Sequence, residues 1–229
     1  MSTEIKGISS MATRQVLADM VHLFQKESGQ RVAIESVGGV TAAKRVEAGE
    51  PFDVVILGSG ALDKLIASGH IVPDTKVGIV SCGVSVAVQA GAPRPDISSE
   101  AAVRDAILAA RSISYSTGPS GVALARLFEQ WGIADQIQSR IITPPPGVPV
   151  GSLVAKGEVE LGFQQLSELI NLPGIDLLGP LPPAIQITTT FAAGLCTGST
   201  QADAVGAMLA FMSSPDMDEV KRKQGMDRA

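Results

Sequence analysis

The sequence predicts an α/β protein built on mainly parallel sheets flanked by helices, and three observations carry that reading. Short apolar runs alternate with segments of helical period along most of the 229 residues, which is the pattern of repeated strand–helix units. Only six Phe, one Tyr and one Trp are present, so Val, Ile, Leu, Ala and Met must fill the core, and that suits buried parallel strands better than an aromatic-rich sandwich. Hydrophobic residues make up 45% against 18% charged, which excludes disorder. The length exceeds the usual domain of roughly 100 to 150 residues, so one large domain or two moderate lobes is expected.

The elements follow in order. A strand around Ile5 to Ile8 meets the polar pair Ser9-Ser10, and Val16, Leu17, Met20, Val21 and Phe24 then recur at helical spacing until Gly29. A second strand, Val32 to Ile34, runs into Gly38-Gly39 and a helix from about Thr41 to Ala48. The third, Val54 to Leu57, is apolar throughout and so reads as central in its sheet, leading into Gly58-Ser59-Gly60 and a helix to about Ser68. An Ala-rich helix to about Ala110 follows Ser98-Ser99-Glu100. After it come a strand at Ser112 to Ser114, a turn at Gly118-Pro119-Ser120-Gly121 and a helix from Val122 to Trp131. Beyond the segment Pro144-Pro145-Pro146-Gly147, a helix from about Val148 to Ala155 precedes a strand at Val159 to Phe163. A β-rich run through Thr188 to Ala193 and two helices, about Gln201 to Met212 and Asp216 to Lys223, complete the chain.

Net charge is −5 and the 18 basic residues are spread thinly, so the footprint needed for phosphate-backbone binding is missing and nucleic acid is not expected as a partner. Cys82 and Cys196 have neither metal-ligand nor redox spacing and read as two buried thiols. No apolar stretch reaches the roughly 18 residues of a membrane span, and the start Met1-Ser2-Thr3-Glu4-Ile5-Lys6 lacks a basic segment followed by an apolar one. As it stands the chain reads as soluble and cytoplasmic; a mature chain cut from its leader would be periplasmic. Enzymatic motifs are missing too: there is no phosphate-binding loop, Gly58-Ser59-Gly60-Ala61-Leu62-Asp63 lacks the third glycine of a dinucleotide fingerprint, and Ser120 is out of frame for a nucleophile elbow. His22 and His70 read as structural or solvent-facing. No metal or cofactor is expected.

What remains are the strand-to-helix turns, where open α/β sheets bind ligands and helix N-termini present unpaired N–H groups. Ser9, Ser10, Gly39, Ser59, Ser116, Thr117, Ser120 and Gly121 fall there. Such residues also cap helices and make turns; taken together, an anion site is the stronger reading. Gln164-Gln165-Leu166-Ser167-Glu168 follows the late strand, and two amides that both donate and accept suit a carboxylate or hydroxyl. Glu168 reads either as a first-turn helix acid or, if it points into a cleft, as the proton-transferring group. Tyr115, the only tyrosine, is a second choice for that role and otherwise a packed aromatic.

The segment Ala43-Lys44-Arg45-Val46-Glu47-Ala48-Gly49-Glu50-Pro51-Phe52-Asp53-Val54 resembles that of the type II periplasmic solute-binding proteins, in their molybdate-binding branch, where a helix ends in a Gly-x-Pro-x-Asp turn before a central strand. Phe24 to Gly29, Gly157 to Phe163, Phe211 to Asp216 and Lys223 to Met226 are similar in the same order, so the resemblance covers nearly the whole length. It implies two α/β lobes, residues 1–82 plus 189–229 and residues 83–188, joined by two crossover strands, with a ligand closed between them by hinge motion. The crossings would fall near Val84 to Val88 and Ile185 to Phe191.

In that branch, serines in the first two turns and an aromatic hydroxyl in a late one hold a tetrahedral oxyanion. This sequence carries Gly38-Gly39 at the second turn, Gln164-Gln165 at the late one, and displaces the first serines by about two positions. The resemblance therefore implies a small organic anion, a carboxylate rather than molybdate, bound without a cofactor by Ser9, Ser10, Gly39, Ser59, Ser116, Thr117, Ser120, Gly121, Gln164 and Gln165. An ABC transporter permease would be the partner if the chain is exported. The branch also includes aconitate-isomerase-like members, to which Gln164 to Glu168 and Gly179 to Pro182 are similar; the alternative is thus a cofactor-free isomerase of a tricarboxylate such as aconitate, with Glu168 as proton shuttle.

Overall fold

A computed structural model describes residues 3–145 and 147–229; Met1, Ser2 and Pro146, on which parts of the N-terminal and proline-segment readings fall, lie outside the described residues. The chain divides into two compact units, Met1–Ser81 with Thr190–Ala229, and Cys82–Thr189. In chain order the elements are β1 (Ile5–Ser10), α1 (Arg14–Ser28), β2 (Val32–Val37), α2 (Gly39–Glu47), β3 (Val54–Gly58), α3 (Ser59–Ala67) and β4 (Val77–Gln89). Next come α4 (Glu100–Ala109), β5 (Ile113–Tyr115), α5 (Pro119–Gln130), α6 (Ala134–Ile137), α7 (Val150–Ala155), β6 (Leu161–Gln165), α8 (Leu166–Leu169) and β7 (Ile175–Pro180). The last are β8 (Thr188–Leu195), α9 (Ala202–Ser213), α10 (Asp218–Lys223) and β9 (Asp227–Arg228). Both β4 and β8 begin in one unit and end in the other.

In the first unit β1 is central, pairing in parallel with β2 from Ile5↔Val32 to Ser10↔Val37 and with β3 from Gly7↔Val54. The C-terminal ends of all three strands therefore share one edge. The apolar run of β3 is fully buried, as a strand covered on both faces requires. Ile8, Val55 and Leu57 form one face of the core with Ala42 and Val46 of α2 and Leu62 and Leu65 of α3. Parallel pairing ends at β8, which runs antiparallel to β3 from Val54↔Leu195 to Gly58↔Phe191. The sheets are thus mixed, with the crossing strands antiparallel to their neighbours.

The Gly-x-Pro-x-Asp turn has a structural role. Asp53 Oδ2 accepts the Lys6 N–H at 2.8 Å and the Gln201 amide at 2.9 Å, while Oδ1 accepts the Ser199 hydroxyl at 2.6 Å. One carboxylate thereby ties the start of β1, the entry to β3 and the loop before α9.

In the second unit β5 and β6 pair in parallel, Ser114↔Gly162 and Tyr115↔Phe163, and β4 runs antiparallel to β6 and to β7. Alternation gives this sheet two different faces. Val84, Val86, Ile113, Leu161 and Phe163 pack with Leu124 and Phe128 of α5 on one face. Phe128 makes edge contacts with Phe163 and Tyr115, so the sole tyrosine is a packed aromatic. The other face carries Ser85, Ser114, Gly162 and Gln164. Here Gly162 lets α7 approach, since an added Cβ would lie 2.5 Å from a Val154 methyl.

Two readings change. Ser9 and Ser10 close β1, not a turn, because they stay in register with Ser36 and Val37. Gln164 and Gln165 belong to β6, held opposite Ser85 and Val84. The short elements α6, α8, β7 and β9 lack a periodic signal of their own and form by packing and pairing. Both cysteines are buried, and burial pushes both thiols up, Cys196 to about 12.

Lys221 of α10 is fully buried, and its Nζ meets no hydrogen-bond partner among the described residues. Burial holds its pKa below the usual lysine value, opposed by nearby Asp218 and reinforced by Arg228. A buried cation without a partner destabilises the fold, so Lys221→Met is expected to raise stability by about 1 to 2 kcal/mol at pH 7. The folded state binds fewer protons than the unfolded chain between the depressed pKa and about 10.4, so wild-type stability rises with pH there. The advantage of Lys221→Met therefore shrinks toward pH 10, as urea unfolding at pH 7 and pH 10 would read.

Candidate functional site

The C-terminal strand edge of the first unit gathers Ser9, Ser10, Gly39 and Ser59. Ser9 Oγ lies 2.8 Å from Ser36 Oγ on the neighbouring strand, so this hydroxyl is engaged inside the sheet. Ser10 is 7% exposed and its Oγ has no partner among the described residues. It sits against Gly39, where an added Cβ would come 3.6 Å from the Ser10 Cβ, so glycine keeps the space over Ser10 open. Ser59 is the first residue of α3, on the adjacent strand end.

Capping does not explain these residues. The caps of α2 and α3 are Gly38 and Gly58, and neither helix receives a side-chain cap. The same holds for α5, capped by Gly118 with Pro119 in its first turn. Serine does cap where a cap is needed: Ser99 accepts the Ala102 N–H at the start of α4. First-turn N–H groups at α2, α3 and α5 thus lack capping side chains, and each such helix end favours an anion.

In the second unit the parallel register Tyr115↔Phe163 sets Ser116 and Gln164 at neighbouring strand ends. Ser116 Oγ lies 3.0 Å from Ser120 Oγ, pairing two hydroxyls across the first turn of α5. Gly121 makes that turn possible: a Cβ there would lie 1.6 Å from the Ser116 carbonyl oxygen. Thr117 is exposed beside them.

The two glutamines point to opposite faces. Gln164 Oε1 accepts the Gly151 N–H at 3.0 Å, which fixes the amide and leaves its N–H groups to donate. They donate to Glu168, opposing the burial that pushes this carboxyl up to about 7. Gln165 Nε2 donates to Thr189 Oγ1 at 2.8 Å, while its buried Oε1 has no partner among the described residues. Ser85 and Ser114, fully buried on the Gln164 face, also carry hydroxyls without one. Sequence reading placed Ser85 in a crossing segment and Ser114 in the strand Ser112 to Ser114 without assigning either to a site. It also missed Ser167, whose hydroxyl lies 3.6 Å from the Cys82 thiol.

Three groups emerge: Ser9, Ser10 and Gly39, with Ser59 one strand away; Ser116, Ser120 and Gly121; and Gln164 with Glu168. All supply neutral donors except Glu168, whose raised pKa suits it to exchanging a proton near neutrality. Among the described residues no cluster of His, Cys, Asp and Glu is suited to holding a metal ion.

A family model described as bacterial extracellular solute-binding protein matches residues 5–227. The chain belongs to that family. Aconitate isomerase from a Pseudomonas species is 34% identical to this solute-binding protein over 232 residues, spanning 98% of this chain and 87% of the relative. The periplasmic molybdate-binding protein of Azotobacter vinelandii matches with a TM-score of 0.79 at 20% identity, over 97% of this chain and 98% of that one. A sulfate-binding protein from Mycobacterium tuberculosis matches with a TM-score of 0.78 at 14% identity, over 98% and 86%. These structural likenesses establish the type II periplasmic binding-protein fold, in keeping with the solute-binding family that residues 43–54 suggested. No helix among the described residues is long and apolar enough to cross a membrane.

Proposed function

We propose that this solute-binding protein recognises a small organic carboxylate, held at the strand-end turns by hydroxyls, amides and helix N-termini. The observation that carries the reading is the first turn of α5, where the Ser116 and Ser120 hydroxyls, 3.0 Å apart, stand at a helix end without a side-chain cap. Such an end stabilises a carboxylate without a formal countercharge. Within the same unit Thr117, Gly121 and Gln165 supply further contacts; in the first unit Ser10, Gly39 and Ser59 offer donors of the same kind at its own strand ends. Ser9, fully buried within the sheet, and Gln164, whose Oε1 accepts the Gly151 N–H, support neighbours instead. A compact oxyanion is the poorer fit, because Ser9 is fully buried and Gly39 stands where that branch has a second serine. In the transport setting of the family, the partner would be an ABC transporter permease.

The test is a thermal-shift screen against molybdate, sulfate, citrate, cis- and trans-aconitate and tricarballylate. A carboxylate is expected to raise the melting temperature, since binding only the folded state stabilises it, and the doubly substituted Ser116→Ala/Ser120→Ala protein is expected to lose most of that shift. A shift with molybdate or sulfate alone would overturn the reading.

The aconitate isomerase relative and the raised pKa of Glu168 favour a second reading on the same scaffold. Here Glu168 takes a proton from the carbon next to the double bond of an unsaturated carboxylate, the double bond shifts by one position, and the proton returns to its far end. Proton NMR of trans-aconitate in D2O decides it: isomerisation or solvent exchange supports this reading, and absence of both eliminates it for that substrate.

A further inference from the structure

A recess of about 160 Å³ opens beside the β5–α5 turn within the second unit. Ser116, Thr117, Thr143 and Tyr115 bring hydroxyl-bearing side chains to its lining, and Val122, Ala125, Ile141 and Ile142 supply its apolar surface. No Lys, Arg, Asp or Glu lines it. At about 30 Å³ for each water molecule in the liquid, the volume is about that of five waters, enough for a short carbon chain. Val122 is 50% exposed, one of three large hydrophobic residues exposed among the described residues. It lies one turn into α5, next to the hydroxyl pair, where an exposed apolar side chain gains nothing in the empty protein. The lining thus combines neutral hydroxyl groups with uncharged apolar surface.

We infer that this recess is a subsite for an uncharged carbon arm of the ligand, so that the substrate class is a carboxylate bearing a short alkyl or alkenyl chain. The inference rests on the carboxylate-binding reading above. It adds specificity: a ligand with a carboxylate on every arm would place one charge against Val122, Ala125, Ile141 and Ile142, where no countercharge lines the wall and desolvation is unfavourable. An alkyl arm in the same place removes apolar surface from water on both partners.

Three acids with a common head test this: succinate, n-butylsuccinate, whose added arm is an uncharged four-carbon chain, and tricarballylate, whose added arm ends in a carboxylate. By isothermal titration calorimetry, n-butylsuccinate is expected to bind at least tenfold more tightly than succinate or tricarballylate. Ala125→Phe, which fills the recess, is expected to abolish that advantage while leaving succinate affinity within threefold. Val122→Ser, at an exposed position that folding tolerates, is expected to reduce the advantage at least threefold. Equal or tighter binding of tricarballylate, or an advantage unchanged in both variants, overturns the subsite while leaving carboxylate recognition standing. Failure of all three acids to bind the wild-type protein overturns the carboxylate reading and the subsite together.

Discussion

Gly121→Ala lowers the stability of the second unit by about 3 kcal/mol or more and removes ligand binding with it. The added Cβ would lie 1.6 Å from the Ser116 carbonyl oxygen and 2.7 Å from its carbon, both backbone atoms that no rotamer change can clear. Either the 116–118 turn or the first turn of α5 must move, and both carry the hydroxyl pair. Urea unfolding followed by circular dichroism reads the shift. Gly39→Ala is the contrasting substitution: its nearest neighbour would be the Ser10 Cβ at 3.6 Å, an ordinary contact. It should leave the urea midpoint nearly unchanged, and any loss of affinity it causes reports on the space over Ser10.

Glu168→Gln is expected to stabilise the protein at pH 8 by roughly 2 to 3 kcal/mol and to have little effect at pH 4. Burial raises the folded-state pKa from 4.5 to about 7, so the folded protein binds more protons than the unfolded chain between those values. Stability contributed by the protonated carboxyl is complete below about pH 4.5 and is lost as pH rises to about 7. The neutral amide does not titrate, so the gap between variant and wild type opens across that window. A denaturation midpoint measured every half pH unit would show it, and a gap independent of pH would contradict the assigned burial. A side chain that costs stability when ionised fits a chemical use, which is why this position joins the isomerase reading to a physical measurement. In that reading Glu168→Gln also loses solvent exchange into trans-aconitate.

Much of the fold was legible in the sequence because the apolar runs and helical periods are long. The runs at residues 5–8, 32–34 and 54–57 each form part of a strand in the first unit, and residues 43–54, with the similar segments in the same order, resemble the family whose model matches the chain. The candidate site was less legible. Serine pairs and glutamine pairs score as turn or helix-start residues, yet Ser9-Ser10 and Gln164-Gln165 end strands, because register with Ser36, Val37, Val84 and Ser85 outweighs local preference. Which face each glutamine takes is decided by that register, and no local pattern reveals that Gln164 is tied to the Gly151 N–H and Gln165 to Thr189. Ser85 and Ser114 could not be assigned for a related reason: strand register, and no local pattern, sets them on the face that carries Gln164. The recess beside α5 is assembled from residues 115–125 and 141–143, which no spacing rule joins.

The most direct test of the central claim is isothermal titration of the purified protein with molybdate, succinate, tricarballylate and trans-aconitate at low and high salt. The account predicts saturable binding of at least one carboxylate, only modest weakening by salt because neutral donors dominate the contacts, and no heat of binding with molybdate. Tight binding of molybdate with no response to any carboxylate would contradict it.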